Sequence, residues 1–155
     1  MGPSRRGTTT ASAPSAAPAA DTTTPTVDSI TRSSPTTQKT SADSIDFEIS
    51  FSESVESVST DDFALDGSVS GDIGSVNSSS GSTITVAVNQ LSGDGSLGLN
   101  LTSDGDIADS AGNSLDTAEP STDETYSILG KRVTVAKGAN GDFTTIQTAI
   151  DTVQS

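Results

Sequence analysis

The feature that most constrains the fold is a strict alternation of apolar and polar residues. Large apolar residues occupy every second position from Ile45 to Phe51, with polar residues between them. A period of two places the apolar side chains on one face of a β-strand and the polar ones on the other. The same pattern, in longer or shorter form, recurs at Ile84–Val88, Leu97–Leu101, Phe63–Leu65 and Tyr126–Ile128. Strands with one buried face predict an antiparallel β-sandwich.

Turn-forming residues stand where these strands stop. They lie at Ser78–Gly81, Gly93–Gly95 and Ser103–Gly105. Gly and Asp accept the positive φ angles that tight turns require. Residues 27–129 span about 100 positions, which is the size of an immunoglobulin-type domain. We therefore predict an all-β sandwich over residues 27–129.

The residues before this domain have the composition of a linker. Twenty of the 24 residues from Pro3 to Thr26 are Ser, Thr, Ala or Pro, and such a segment buries too little apolar surface to offset the entropy of ordering. We predict a disordered linker over residues 1–26. Arg5 and Arg6 are followed by no apolar run of the kind that a signal peptide contains, so we expect any leader to precede Met1.

The composition excludes several classes of function. The chain has no Cys and no His, which removes thiol nucleophiles and the commonest general base and metal ligand. Residues 45–130 hold sixteen acidic residues and no Lys or Arg, and such a block repels nucleic acid. No apolar run approaches the length of about 18 residues that a membrane span needs.

Three stretches resemble the bacterial Ig-like repeats of large extracellular proteins. They are Thr26–Thr31, then Asp46–Val55 followed by Thr60–Leu65, and finally Ile107–Leu115 followed by an ending near Glu124–Ile128. The resemblance implies an Ig-like sandwich, an extracellular or cell-surface location, and a spacer or adhesive role without catalysis.

The character of the sequence changes again after Gly130. Val133–Lys137 predicts a short strand, and Thr144 with Gln147 forms the capping box of a predicted helix. That helix carries one apolar stripe, formed by Ile146, Ala149, Ile150 and Val153.

The stretch from Val133 to Val153 looks like the opening of pectinesterases, with Gly141-Asp142-Phe143-Thr144-Thr145-Ile146-Gln147 at its centre. The resemblance implies that residues 130–155 are the truncated start of a right-handed parallel β-helix. The catalytic aspartates, glutamines and arginine of that family lie beyond Ser155, so Gln147 and Asp151 are not catalytic candidates. We expect this chain to be inactive as given, and we name no catalytic residue.

Three hypotheses follow for the function. The first is a non-catalytic Ig-like spacer or adhesion module, covalently linked to a pectin-modifying β-helix enzyme and close to a cell-wall polysaccharide such as pectin. The second treats the chain as the N-terminal fragment of a secreted pectinesterase. The third is a calcium-dependent adhesive domain.

Calcium is the one cofactor that the sequence suggests. Asp104, Asp106 and Asp109 place carboxylates close together in a loop, and Ca²⁺ prefers such hard oxygen ligands. The stretch does not match the EF-hand pattern, because Asp109 stands where that loop requires glycine. Acidic residues at this spacing are also common turn formers.

Overall fold

A computed structural model of the chain describes residues 2–3, 7, 18–102 and 105–131. The described part contains nine β-strands and a short 3₁₀ helix at Thr60–Asp62. The strands are β1 (Val27–Ser34), β2 (Lys39–Thr40), β3 (Ile45–Val55), β4 (Phe63–Gly67), β5 (Ser70–Val76), β6 (Gly81–Ser92), β7 (Gly95–Leu101), β8 (Thr122–Asp123) and β9 (Tyr126–Ile128). The all-β prediction is confirmed. Among the described residues, no helix has the length and apolar character needed to cross a membrane.

The strands form two sheets. The first has the order β5-β6-β3-β1-β8, and the second has the order β2-β9-β7-β4. Both sheets are mixed, because β1 pairs with β8 and β2 pairs with β9 in parallel, whereas the sequence predicted antiparallel pairing throughout. The chain passes from β8 in the first sheet to β9 in the second across two residues.

The alternating residues form the core as predicted. The inward positions of β3 from Ile45 to Phe51 are at most 4% exposed, and those of β6 and β7 include five residues with no exposed surface: Ile84, Val86, Val88, Leu97 and Leu99. One apolar cluster contains residues from both sheets. The two sheets therefore enclose a single interior, and we call this unit the two-sheet body.

The chain enters and leaves the two-sheet body at opposite ends. Val27 pairs with Phe51 near one end of β3, whereas Ile45, at the other end of β3, pairs with Val88. The first end, which we call the N-terminal end, also holds Thr26, whose carbonyl accepts a hydrogen bond from Ser52 N at 2.9 Å. The second, the C-terminal end, holds Leu129, whose N–H donates to Thr40 O at 2.8 Å.

The last residues of the predicted linker lie against the N-terminal end. Pro25 is fully buried, and its carbonyl accepts a hydrogen bond from Asp116 N at 2.9 Å. Thr26 N donates to Ser52 Oγ at 3.0 Å. The predicted strand and helix in residues 132–155 lie outside the described residues, so that domain assignment stays a prediction.

Candidate metal site

Asp109 is held in a tight loop at the N-terminal end, and its side chain is buried. Its Oδ1 accepts hydrogen bonds from Ala111 N at 2.9 Å and Asn113 N at 2.8 Å, and its Oδ2 accepts one from Asn113 Nδ2 at 2.7 Å. Gly112 completes the turn with a φ of 91°. The Asn113 side chain, helped by backbone N–H groups of the loop, lowers the pKa of Asp109 against the opposing effect of burial. The loop therefore holds a negative charge at a fixed place.

Glu53 faces Asp109 from β3. It continues the inward series that begins at Ile45, since it is two residues beyond Phe51 and two before the buried Val55. Its Oε1 is inaccessible to solvent and has no hydrogen-bond partner among the described residues. Burial raises the pKa of Glu53, and the negative charges of Asp21 and Asp109 raise it further. Among the described residues, neither a hydrogen-bond donor nor a positive charge contacts this carboxylate to stabilise its ionised form.

Asp21 brings a third carboxylate from the linker. Its Oδ1 accepts a hydrogen bond from Thr23 N at 2.9 Å, and its carbonyl accepts one from Asn113 Nδ2 at 3.1 Å. Asn113 therefore connects the linker to the Asp109 loop through one amide group.

The three carboxylates converge closely enough to share an ion. One oxygen from each of Asp21, Glu53 and Asp109 lies within 4.8 Å of the other two. Two oxygens that each lie about 2.4 Å from a Ca²⁺ ion are at most about 4.8 Å apart. The cluster could therefore hold a metal ion.

The remaining acceptor capacity of the cluster limits how tightly an ion could bind. The loop donors occupy both lone pairs of Asp109 Oδ1 and one of Oδ2, which leaves one site on Oδ2. Glu53 Oε1 accepts no hydrogen bond from the part of the chain that the structure describes, whereas Thr23 N uses one lone pair of Asp21 Oδ1. Ca²⁺ takes six to eight oxygens, so water would have to supply several of them.

The residues predicted from sequence are only partly brought together. Asp109 belongs to the cluster, and Asp106 has an exposed side chain outside it. Asp104 lies outside the described residues, so its part in the calcium prediction is untested. The structure adds Asp21 and Glu53, which the loop spacing could not reveal.

One of the two added residues left a signal in the sequence. Glu53 occupies an apolar position of the β3 alternation, and a carboxylate at an inward position usually has a specific role or partner. Asp21 left no comparable signal, because it reaches the cluster only through the path of the linker around the N-terminal end.

A second buried carboxylate has a structural role. Asp62 is 3% exposed, and its Oδ2 accepts hydrogen bonds from Ser59 N at 2.7 Å and Ser59 Oγ at 3.0 Å. These contacts cap the 3₁₀ helix and fix the start of β4.

Comparisons of the chain with protein-family models, curated proteins and solved structures found no match.

Proposed function

We propose that residues 27–129 are a non-catalytic, extracellular, Ig-like spacer module, joined through residues 130–155 to a pectin-modifying β-helix enzyme. The observation that carries the proposal is the placement of the chain's entry and exit at opposite ends of the two-sheet body. A module inserted in line separates its neighbours by its own length. The eleven residues of β3 correspond to about 35 Å at roughly 3.3 Å per residue.

Both ends of the body also hold the chain firmly, which a spacer needs if it is to fix direction as well as distance. At the N-terminal end, Pro25 is buried and Thr26 is hydrogen-bonded to Ser52. At the C-terminal end, Leu129 N is bonded to Thr40 O, and Gly130 N donates to Asp94 Oδ1 at 2.6 Å. The resemblance to bacterial Ig-like repeats and to the opening of pectinesterases supports the identity of the two parts.

The test replaces residues 27–129 of the natural protein with a flexible Gly/Ser linker. A spacer predicts that the rate on soluble methyl-esterified oligogalacturonides stays within about twofold, whereas the rate on insoluble cell-wall material falls. A matched loss on both substrates would show that the module belongs to the catalytic fold, which would overturn the spacer role. The sequence downstream of Ser155 tests a premise that this proposal shares with the fragment hypothesis, because both require a β-helix domain there.

A second candidate function, a calcium-dependent adhesive domain, is favoured by the convergence of Asp21, Glu53 and Asp109. Because Asp21 belongs to the linker and Glu53 to β3, a bound Ca²⁺ would connect the two. The few open acceptor sites suggest a Kd of about 10⁻⁴ to 10⁻³ M, as in extracellular modules.

Thermal unfolding with and without 5 mM CaCl₂ tests this candidate. We expect calcium to raise the Tm of the chain and Glu53→Gln to remove that increase. Asp106→Asn is the matched control, because it removes an exposed acidic charge outside the cluster and leaves the increase intact. An equal calcium effect in both variants would mean that the ion acts by general screening.

A further inference from the structure

Among the described residues the two sheets end in four edge strands, and three of these strands are poorly suited to pair with another chain. β2 and β8 have two residues each. β5 pairs with β6 through two register shifts, and such bulges turn an edge strand away from a partner. β4 differs, because its five residues pair with β7 from Phe63–Leu101 to Gly67–Leu97 without a shift. β4 is therefore the edge strand best suited to receive an added strand.

The hydrogen bonds at the two ends of the β4–β7 pair show which main-chain groups of β4 are turned outward. Thr102 N donates to Asp62 O at 2.8 Å, and Ser68 N donates to Ser96 O at 3.0 Å. In an antiparallel pair, residues that are hydrogen-bonded to each other alternate with residues that are not. The even-numbered residues of β4 therefore bond to β7, and the odd-numbered ones direct their N–H and C=O groups away from it.

Leu65, in the middle of β4, presents both of its main-chain groups on this outward side, which we call the open edge. The described part of the chain supplies no hydrogen bond to the N–H or the C=O of Leu65. Phe63 adds its C=O, whereas its N–H donates to Thr60 O in the turn before the strand. Unpaired groups in such a row can bind an extended chain through main-chain hydrogen bonds.

The side chains of β4 set the pattern that an added strand must carry. Phe63 is buried and Leu65 is half-buried beside the apolar cluster, whereas Ala64 and Asp66 are exposed on the outer face of the sheet. A strand added at the open edge continues the sheet, so its side chains alternate between the same two faces. Apolar residues on its inner face would cover the accessible part of Leu65, and residues on its outer face would stand beside Asp66.

The surface around the open edge is acidic. Asp61 and Asp66 are both exposed, one before β4 and one within it. Burial raises the pKa of Asp123, and the negative charges of Glu119 and Asp66 raise it further, so these acidic residues lie in one neighbourhood. Residues 45–130 contain no Lys or Arg. Such a surface attracts a cationic partner, and the net charge of −14 repels a second copy of the chain.

We propose that β4 binds an extended, basic segment of another protein as a fifth strand of the second sheet. The main chain of that segment bonds to the N–H and C=O of Leu65. Its apolar side chains cover Leu65, and its Lys or Arg side chains lie beside Asp66. This interface goes beyond the spacer role, because it gives the two-sheet body a partner besides the domains to which it is covalently joined.

An NMR titration of the full chain tests the proposal. The probe is an end-capped peptide of alternating Lys and Val, about six residues long, which is the usual length of a strand. We expect saturable shifts of the Leu65 amide and of its neighbours in β4. The same peptide with Glu in place of Lys should bind at least about tenfold more weakly. An N-methylated version of the Lys/Val peptide, which cannot donate main-chain hydrogen bonds, should lose its binding.

Variants of the chain separate the open edge from the general negative charge. Asp66→Lys should weaken binding of the Lys/Val peptide at least about tenfold, since it reverses the charge beside Leu65. Asp72→Lys is the matched control, because it makes the same charge change at an exposed position of β5 and should alter binding less than about twofold. Leu65→Pro should abolish binding, since it removes the outward N–H without removing a β4–β7 hydrogen bond.

The amides of β3 and β6 report in the same spectra whether each variant keeps its fold. The proposal would be overturned if the Lys/Val peptide left the β4 amides of the unaltered chain unshifted. Equal effects of Asp66→Lys and Asp72→Lys would also overturn it, as would equal binding of the Glu/Val peptide. Broadening of the β4 amides at high protein concentration without peptide, together with a dimer in sedimentation, would assign the edge to a second copy and reject the basic partner.

Discussion

The ring of Tyr126 meets the ring of Phe47 edge to face, with ring centroids 5.1 Å apart and planes inclined at 76°. Phe47 lies in the first sheet and Tyr126 in the second, so this pair joins the two sheets through the core. The Tyr126 hydroxyl lies 2.8 Å from Pro35 O and 2.9 Å from Asp46 O, and it can donate to either carbonyl. One side chain thus connects β9, β3 and the loop after β1.

Tyr126 gives the chain a stability limit at alkaline pH. Burial raises the pKa of Tyr126 to about 12, against the opposing effect of the Arg32 charge. In the unfolded chain the tyrosine ionises near pH 10. The contribution of protonated Tyr126 to the free energy of unfolding is therefore complete below pH 10 and is lost as the pH rises through 12. Because Tyr126 is the only tyrosine and there is no Trp, absorbance at 295 nm reports this one ionisation. A midpoint near pH 10 in the folded chain would contradict the prediction.

Tyr126→Phe should lower the free energy of unfolding, measured in urea, by about 1 kcal/mol, because the hydroxyl contacts are lost.

Glu53 should oppose folding at neutral pH. Its raised pKa means that the folded state holds the proton more tightly than the unfolded state does. The penalty is present above the folded pKa and disappears as the pH falls below the unfolded value. We expect Glu53→Gln to raise the Tm at pH 7 in calcium-free buffer and to leave it nearly unchanged at pH 4. Asp109→Asn should instead lower the Tm at pH 7, because the lowered pKa of Asp109 means that its ionised form stabilises the folded state. Equal shifts of Tm at both pH values would exclude this electrostatic origin.

Two ion pairs among the described residues, Arg32–Glu124 and Lys131–Asp43, should differ in their contribution to the free energy of unfolding. Arg32 Nη2 lies 3.0 Å from Glu124 Oε1, and Arg32 N donates to Glu124 Oε2 at 2.9 Å, with the Arg32 side chain 17% exposed. The side chains of Lys131 and Asp43 are 69% and 67% exposed. Glu124→Ala should therefore cost about 1 to 2 kcal/mol, and Asp43→Ala less than about 0.5 kcal/mol. Urea unfolding at 0.1 M and 1 M NaCl measures both, and similar values for the two variants would contradict the ranking.

Substitution by Ala should destabilise the chain more at Gly67 than at Gly112. Both have positive φ angles, 122° and 91°, so either substitution by Ala costs about 1 kcal/mol in backbone strain. A methyl group on Gly67 would also overlap the backbone carbonyl of Ser96, whereas one on Gly112 would meet nothing within 4 Å. We expect Gly67→Ala to cost more than about 2 kcal/mol in total and Gly112→Ala about 1 kcal/mol. Equal costs in chemical denaturation would show that the β4–β7 pair can shift to make room.

The sequence predicted β3, β4, β6, β7 and β9, because each carries an alternation of apolar and polar residues. β1 carries no such alternation, since its core residues Val27 and Ile30 are three positions apart. β5 was missed, since its apolar residues Ile73 and Val76 are three positions apart and so break the alternation. β2 and β8 have two residues each and depend on partners distant in the sequence, so no local pattern could predict them. The candidate site shows the same limit: Asp109 follows from its loop, but Asp21 and Glu53 join it only through the fold.

The opposite placement of entry and exit has a mechanical consequence. Tension applied through the chain would pull β1 at Val27 in one direction and the segment after β9 in the other. The hydrogen bonds between β1 and β3, which extend from Val27–Phe51 to Ser34–Asp46, would then be strained together along the strand axis instead of opening one after another. A protein joined to its neighbours in this way resists stretching with a whole row of bonds at once.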